Sequence, residues 1–300
     1  MTLAPARHEV ADLTFLKWIP LYEKEKPFVY LSAVPKYSLD PRQSNFEFHS
    51  VPVPIRDVRG EEVNYTLDSH GFTFRTSPVQ LQPDDFNDAD VVEREYLPQV
   101  KELLRREVEG VDDIFIFDWR MRRADYVARE LDMNDKTSFL PPSGNVHVDQ
   151  SPYQATRTLQ RARDALGHEK VDWYCNGGRM RIINVWRSIA GTVEDKPVTV
   201  CDGSTCRSCD LVTNDVIRSP GHGVREAWAL LHEEKQKFYY LSHQTRDEVL
   251  MIKIFDSERD VPATCSPHTS FTHREIRHGM TPRRSIEVRA MIFTKPDVDA

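Results

Sequence analysis

Several classes of protein are excluded by what this chain lacks. No stretch approaches the roughly 18 consecutive apolar residues of a membrane-spanning helix, so no membrane span is expected. The opening segment MTLAPARHEVADLTFLKW has no basic region leading into an apolar run, so no secretory signal is expected either. Lys and Arg are scattered without a basic stripe, and the net charge is −7, which argues against nucleic acid as a partner. Cysteine is sparse and odd in number, with five residues (Cys175, Cys201, Cys206, Cys209 and Cys265); this favours free thiols in a reducing, cytoplasmic setting. Cys206-x-x-Cys209, with Cys201 nearby, lacks the second Cys or His pair that a structural zinc needs, so loop thiols are expected there. Glycine is scarce at 12 residues against 19 prolines, so many connections are stiffened by proline. No internal repeat, low-complexity tract or Gly/Ser-rich linker divides the chain.

What remains is a mildly acidic chain of 300 residues, 39% hydrophobic, enough for a sizeable core in one integrated unit. Residues 1–110 read as a mixed N-terminal cap, with strands at 28–35, 46–55 and 65–74 and a helix at 91–108 whose apolar residues recur at helical spacing. From 111 to 295 the pattern is dominated by strands: 113–121, 179–189, 196–202, 237–244, 247–257 and 283–293. A helix is expected at 153–167, ended by Gly167, and the stretch 226–237 is helix-like. Many strands with few long helices argue against a parallel α/β sheet. They favour a β-rich α+β fold, an antiparallel barrel or double-sheet jelly roll.

Within that region, GNVHVDQSP (144–152) places His147 and Asp149 two apart, where a strand meets a turn. Side chains at i and i+2 of a strand point the same way, so imidazole and carboxylate converge on one ion. With one distant histidine they make the 2-His-1-carboxylate set of non-haem Fe(II) oxygenases, which leaves coordination positions open. The pattern alone is weak, because His232-x-Glu234 and His273-x-Glu275 share its form. His232 lies in the helix-like stretch, where i and i+2 face apart, and His273 in a loop-like one. A histidine satisfied by its neighbouring aspartate at a strand end is the bland alternative for His147. Candidates for the third ligand are His222, His243, His268, His273 and His278; His268 is the best placed, following one strand and preceding the last.

That last strand alternates Arg283, Ser285, Glu287 and Arg289 with Ile286, Val288, Ala290 and Ile292. A solvated outer face is the ordinary reading of such alternation. A charged row turned inward would instead need an anionic ligand or acidic partners. Arg283 with Ser285 offers a guanidinium fork and a hydroxyl on one face, suited to gripping a carboxylate.

His147-x-Asp149, a later His268 and then Arg283-x-Ser285 follow the order found in Fe(II)/2-oxoglutarate-dependent oxygenases. With FIFDWRMR (115–122), VHVDQSP (146–152), RIINVWR (181–187), YYLSHQTRDEVLMIKIFDS (239–257), PHTSF (267–271) and PRRSIEVRAMIF (282–293), the chain resembles the fungal AsaB-like (CmcJ/NvfI/EfuI-type) hydroxylase/desaturase family. The likeness reaches into the cap through YEKEKPFVYL (22–31). It implies a double-stranded β-helix and Fe(II) held by His147, Asp149 and His268. It further implies 2-oxoglutarate as cosubstrate, its distal carboxylate held by Arg283 and Ser285, together with O2. Asn184 becomes a candidate for holding the cosubstrate, Arg187 a weaker one for the cosubstrate or the substrate, while Trp186 is read as core. Two departures stand out. Arg284 occupies a position where relatives tend to carry Glu, leaving Arg283 and Arg284 to be distinguished by strand alternation; Ser188 follows Arg187 where relatives tend to carry Pro. Gln150 and Ser151 become candidates for supporting the metal ligands, with helix-start residues the preferred reading. The implied activity is hydroxylation, desaturation or cyclisation of a small molecule in secondary metabolism, with contacts from the cap and from loops 202–209 and 219–226. An iron oxidase independent of 2-oxoglutarate, or a non-catalytic binding jelly roll, are the rival readings.

Overall fold

Runs rich in β-branched and aromatic residues pack well on a pleated surface, and in the computed structural model most of them are strands. The structure describes residues 7–35, 38, 40–126, 135–217, 223–276 and 279–295. In chain order the strands are β1 (Glu9–Leu16), β2 (Phe28–Tyr30), β3 (Phe48–Asp57), β4 (Phe72–Thr76), β5 (Asp113–Arg123), β6 (His147–Val148) and β7 (Arg179–Ser188). They continue as β8 (Val198–Cys201), β9 (Leu211–Ile217), β10 (Val224–Leu230), β11 (Phe238–Tyr240), β12 (Glu248–Asp256), β13 (His268–Ser270) and β14 (Arg284–Thr294). They form a nine-stranded sheet, β1-β3-β11-β8-β13-β6-β10-β9-β2, and a five-stranded sheet, β4-β12-β7-β14-β5. The β3/β11 and β2/β9 pairs are parallel; the other pairs are antiparallel.

Two apolar layers follow from strand alternation. Val148, Val200 and Tyr239 of the large sheet pack with Phe72, Ile182, Trp186, Leu250 and Met291 of the small one, filling the space between the sheets. The alternate residues Ile183, Val185, Met251, Ile286 and Val288 turn outward and bury Val100, Leu103 and Leu104 of the Leu97–Glu107 helix. The small sheet is therefore covered on both faces, and β12 reads as a nearly unbroken apolar run, while β7 and β14 bury polar side chains among their apolar ones.

The Pro152–Leu166 helix starts where expected. Ser151 is its N-cap, its Oγ accepting from Gln154 N at 3.1 Å, and Gly167 follows its last residue with φ +98°. Two expectations need correction. The stretch read as strand 65–74 opens instead with a helical turn, Leu67–His70, before β4 begins. The turn is capped by Thr66 and ended by Gly71 at φ +83°, where a Cβ would meet Cys265 O at 2.8 Å, so only glycine fits. The helix-like stretch 226–237 is not helical. Its first half lies in β10, where pairing with β9 along Val224–Leu230 supplies the backbone partners a helix would have supplied internally. No described helix is long and apolar enough to cross a membrane.

Candidate metal centre

β6 is only two residues long, yet it lies between β13 and β10. Its register sets His147 directly opposite His268, and the two rings stand 4.6 Å apart between centroids. Asp149, two residues on, turns to the same side. One ligand atom from each of His147, Asp149 and His268 lies within 4.8 Å of the others.

The tautomers are fixed from behind. His147 Nδ1 donates to Asn145 O at 2.9 Å, and His268 Nδ1 to Ser266 O at 3.2 Å; a carbonyl only accepts, so both Nδ1 atoms carry hydrogen and both Nε2 lone pairs are left for a metal. Burial, and then the neighbouring His147 ring, push His268 down to about 4, which keeps it neutral as a ligand must be. Burial raises the Asp149 carboxyl, but Arg289 and then His147 outweigh it and hold it well below the usual carboxylate range. Two neutralisable imidazoles and one ionised carboxylate are a donor set that fits iron(II).

Support for Asp149 comes from the opposite sheet. Asn184 Nδ2 donates to its Oδ2 at 2.5 Å and Arg289 Nη2 to its Oδ1 at 3.2 Å. Arg289 also grips Glu287 through Nε at 3.0 Å and Nη2 at 2.8 Å. The charged row of β14 is thus buried rather than solvated, and acidic side chains answer part of it. Among the predicted residues, Asn184 reaches Asp149 and so lies beside the triad.

Arg283 and Ser285 share this inner face. Arg283 Nη1 donates to Lys196 O at 2.5 Å, and its guanidinium lies 5.5 Å above the centre of the Trp186 ring. Its Nε and the Ser285 hydroxyl are buried without a hydrogen-bond partner among the described residues. Burial, and then the nearby Arg122, push Arg283 down to about 10, so this cation stands in want of an anion. A small cavity beside Arg283 and the two histidines is lined by Arg122, His147, Trp186, His268, Arg283 and Glu287. Trp186 therefore packs in the core with one edge on the cavity. Arg284 turns the other way, donating to Asn87 Oδ1 at 3.0 Å, so strand alternation does distinguish the two arginines.

Arg187 is not brought to the site. Its Nη1 donates to Ser77 O at 2.7 Å and to Arg246 O, and its Nε to Tyr96 Oη at 3.2 Å. It stands on the outer face of β7 with Ile183 and Val185, and the expectation that it helps to hold a cosubstrate is corrected accordingly. Gln150 Oε1 accepts from Thr158 Oγ1 at 3.0 Å, a side-chain contact with the middle of the helix that Ser151 caps.

The other histidine motifs lie elsewhere. His232 packs edge-on against Phe15, and His273 Nε2 sits 3.3 Å from Glu9 Oε1. His222 and His278 fall outside the described residues, as does part of loop 219–226. Cys201 and Cys206 approach to 3.3 Å between sulfurs, and Cys209 Sγ lies 3.6 Å from Asp210 Oδ1. Sequence reading missed Arg289 as a partner of Asp149 and Arg122 as a neighbour of Arg283. Both lie at i±2 positions on the inner faces of β14 and β5, which was the available signal.

Comparison with known proteins bears on this geometry. A family model described as an oxidoreductase/YMDC permease-like domain matches residues 13–293. The Fe(II)/2-oxoglutarate-dependent dioxygenase nvfI of Aspergillus novofumigatus is 32% identical over 254 residues, covering 84% of this chain and 86% of its own. The hydroxylase/desaturase CTB9 of Cercospora beticola is 31% identical over 300 residues, covering 90% and 88%. A solved structure of the iron and alpha-ketoglutarate-dependent endoperoxidase NvfI superposes with a TM-score of 0.80 at 27% identity, over 96% of this chain and 98% of that one.

Proposed function

The chain belongs to the fungal family of nvfI-like Fe(II)/2-oxoglutarate-dependent dioxygenases and hydroxylase/desaturases, and from that premise we propose how its own residues carry the activity. The protein is a non-haem Fe(II)/2-oxoglutarate-dependent dioxygenase of fungal secondary metabolism acting on a small molecule. His147, Asp149 and His268 hold the iron, and Arg283 with Ser285 holds the distal carboxylate of 2-oxoglutarate. The two facing sheets are read as a double-stranded β-helix, with the site between them.

The observation that carries the residue assignment is the pair of buried, unpartnered polar atoms, Arg283 Nε and Ser285 Oγ, with Arg283 sharing a small cavity with His147 and His268. Burying such groups without a partner costs free energy, so a ligand that satisfies both is bound with a gain. A carboxylate does so, since the guanidinium fork matches its two oxygens. The same pair favours a 2-oxoglutarate-dependent enzyme over an oxidase on the same scaffold. When bound, iron with 2-oxoglutarate and O2 supplies the oxidising power for hydrogen removal from an unactivated C–H bond, releasing succinate and CO2.

The protein's part is positional. Asn145 O and Ser266 O orient the two imidazoles, while Asn184 and Arg289 orient Asp149, so the donor set stands assembled before metal arrives. No side chain has to move a proton for hydrogen abstraction; the task is to place one C–H bond and exclude water. The test is succinate formation from 2-oxoglutarate, dependent on both Fe(II) and O2. The expected result is that Asp149→Ala and His268→Ala abolish it; full activity in either variant would sink the assignment.

A further inference from the structure

A second, larger cavity of about 280 Å³ opens on the other side of His147 and Asp149. Val29, Leu31, Phe46 and Val216 make one wall of it apolar. Arg120, Arg122, Arg225 and Arg289 line another part. An apolar pocket needs no such density of guanidinium groups for its own stability, because each buried cation is costly unless answered.

Among the described residues no acid is paired with Arg122, and Arg225 has only a long ion pair. Glu287 is engaged by Arg289 through two nitrogens. Asp149 is taken by Asn184 and Arg289, and on the reading above it also carries the iron. Asp118 faces Lys136 and forms ion pairs with Arg289 Nη1 at 3.6 Å and Arg225 Nη1 at 3.7 Å, both beyond hydrogen-bond length. Arg122 donates from Nη1 to Pro141 O at 2.7 Å and makes no ion pair with a carboxylate among the described residues. Arg122 and Arg225 are part-buried, Arg225 with 31% of its side chain exposed, and this partial burial pushes both down. An iron(II) ion and a doubly charged 2-oxoglutarate cancel in formal charge, so loading the centre leaves this surplus in place.

We propose that the primary substrate is a hydrophobic carboxylic acid. Its carboxylate is received by Arg122, with Arg225 adding positive charge from the facing sheet, and its apolar body lies along Val29, Leu31 and Phe46. That pose lays the carbon skeleton across the His147–Asp149 side of the cavity. A guanidinium presents paired donors that match a planar two-oxygen anion, and a low-dielectric wall strengthens the attraction. The inference rests on the functional reading above only in taking this cavity as the substrate's.

The test is isothermal titration of the anaerobic protein loaded with Fe(II) and 2-oxoglutarate. The probes are decanoate, 4-phenylbutanoate and 2-naphthoate, each beside its methyl ester and primary amide. At least one acid should bind roughly tenfold or more tightly than its neutral partners, and Arg122→Gln and Arg225→Gln should remove that preference. Arg122→Lys, which keeps the charge and loses the fork, should fall between. Thermal unfolding of each variant checks that it folds, and 2-oxoglutarate affinity is measured in the same samples. Equal binding of acid and ester, or no binding by any acid, would overturn the proposal. So would an Arg122→Gln variant that loses 2-oxoglutarate affinity and keeps the acid preference, which would place Arg122 in the cosubstrate site. If the protein binds no 2-oxoglutarate at all, the functional reading fails. The acid titration repeated on metal-free protein then decides this inference separately, since neither arginine depends on iron.

Discussion

Asn184 and Arg289 are register partners across β7 and β14, and each donates to a different oxygen of Asp149. The small sheet thus holds the carboxylate whose histidine companions stand on the large sheet. Orienting groups of this kind typically matter about 10–100-fold in metal affinity. Asn184→Ala should therefore weaken Fe(II) binding by about that factor while leaving the fold intact. Anaerobic metal competition titration, with circular dichroism as a control, reads both quantities.

Arg283→Gln removes the buried cation and should raise the Kd for 2-oxoglutarate by roughly 10–100-fold, as expected for a hydrogen-bonded charge pair. Ser285→Ala should weaken 2-oxoglutarate binding by a smaller factor. It should not destabilise the unliganded protein, because the hydroxyl it removes is buried without a partner among the described residues. Thermal unfolding with and without 2-oxoglutarate separates the two effects. A Ser285→Ala variant whose unliganded melting point falls by several degrees would contradict this account.

Arg187 behaves differently if its place is structural. Arg187→Ala leaves Ser77 O and Arg246 O without a donor and should cost about 2–3 kcal/mol of stability, seen as a lower urea midpoint. The Kd for 2-oxoglutarate should not change in the protein that remains folded.

A pH effect is expected away from the site. Burial raises the Asp68 carboxyl, but Arg179 and Lys253 more than reverse this and hold it below the usual range. Arg179 Nη2 lies 2.6 Å from Asp68 Oδ1 and Lys253 Nζ lies 2.8 Å from the same oxygen. A carboxyl depressed in the folded state adds stability above its unfolded value of 3.8, and that contribution is lost as pH falls through the folded value. Urea midpoints should thus drop below about pH 4 in the natural protein and drop less steeply in Asp68→Asn. Parallel curves for the two proteins would show that Asp68 has no part in the acid limb.

The sequence made the long strands legible because β5, β7, β12 and β14 are dense in β-branched and aromatic residues. It made His147-x-Asp149 legible because the spacing itself sets the direction of the side chains. β9 and β10 escaped notice: Asn214 and Asp215 interrupt the first, and the second carries the helix-favouring residues Glu226, Ala227 and Ala229. Pairing between these two strands overrides both local preferences. Its place between two strands ranks His268 first among five histidines, but its pairing with His147 depends on the β13/β6 register, a long-range contact that no local pattern encodes. Arg187 was open to exclusion from the start, since residues 184 and 187 are three apart on a strand and must face opposite ways. Arg289 stood in the alternating row, but its meaning depends on an aspartate from the other sheet.

The central claim is that His147, Asp149 and His268 form one iron site with 2-oxoglutarate bound beside it. The direct measurement is anaerobic titration of the metal-free protein with Fe(II) in the presence of 2-oxoglutarate, followed by visible absorption of the metal–cosubstrate complex. One Fe(II) per chain with a new absorption band, absent in His147→Ala, Asp149→Ala and His268→Ala, is the result predicted. An unchanged stoichiometry and band in any of these three variants would contradict it.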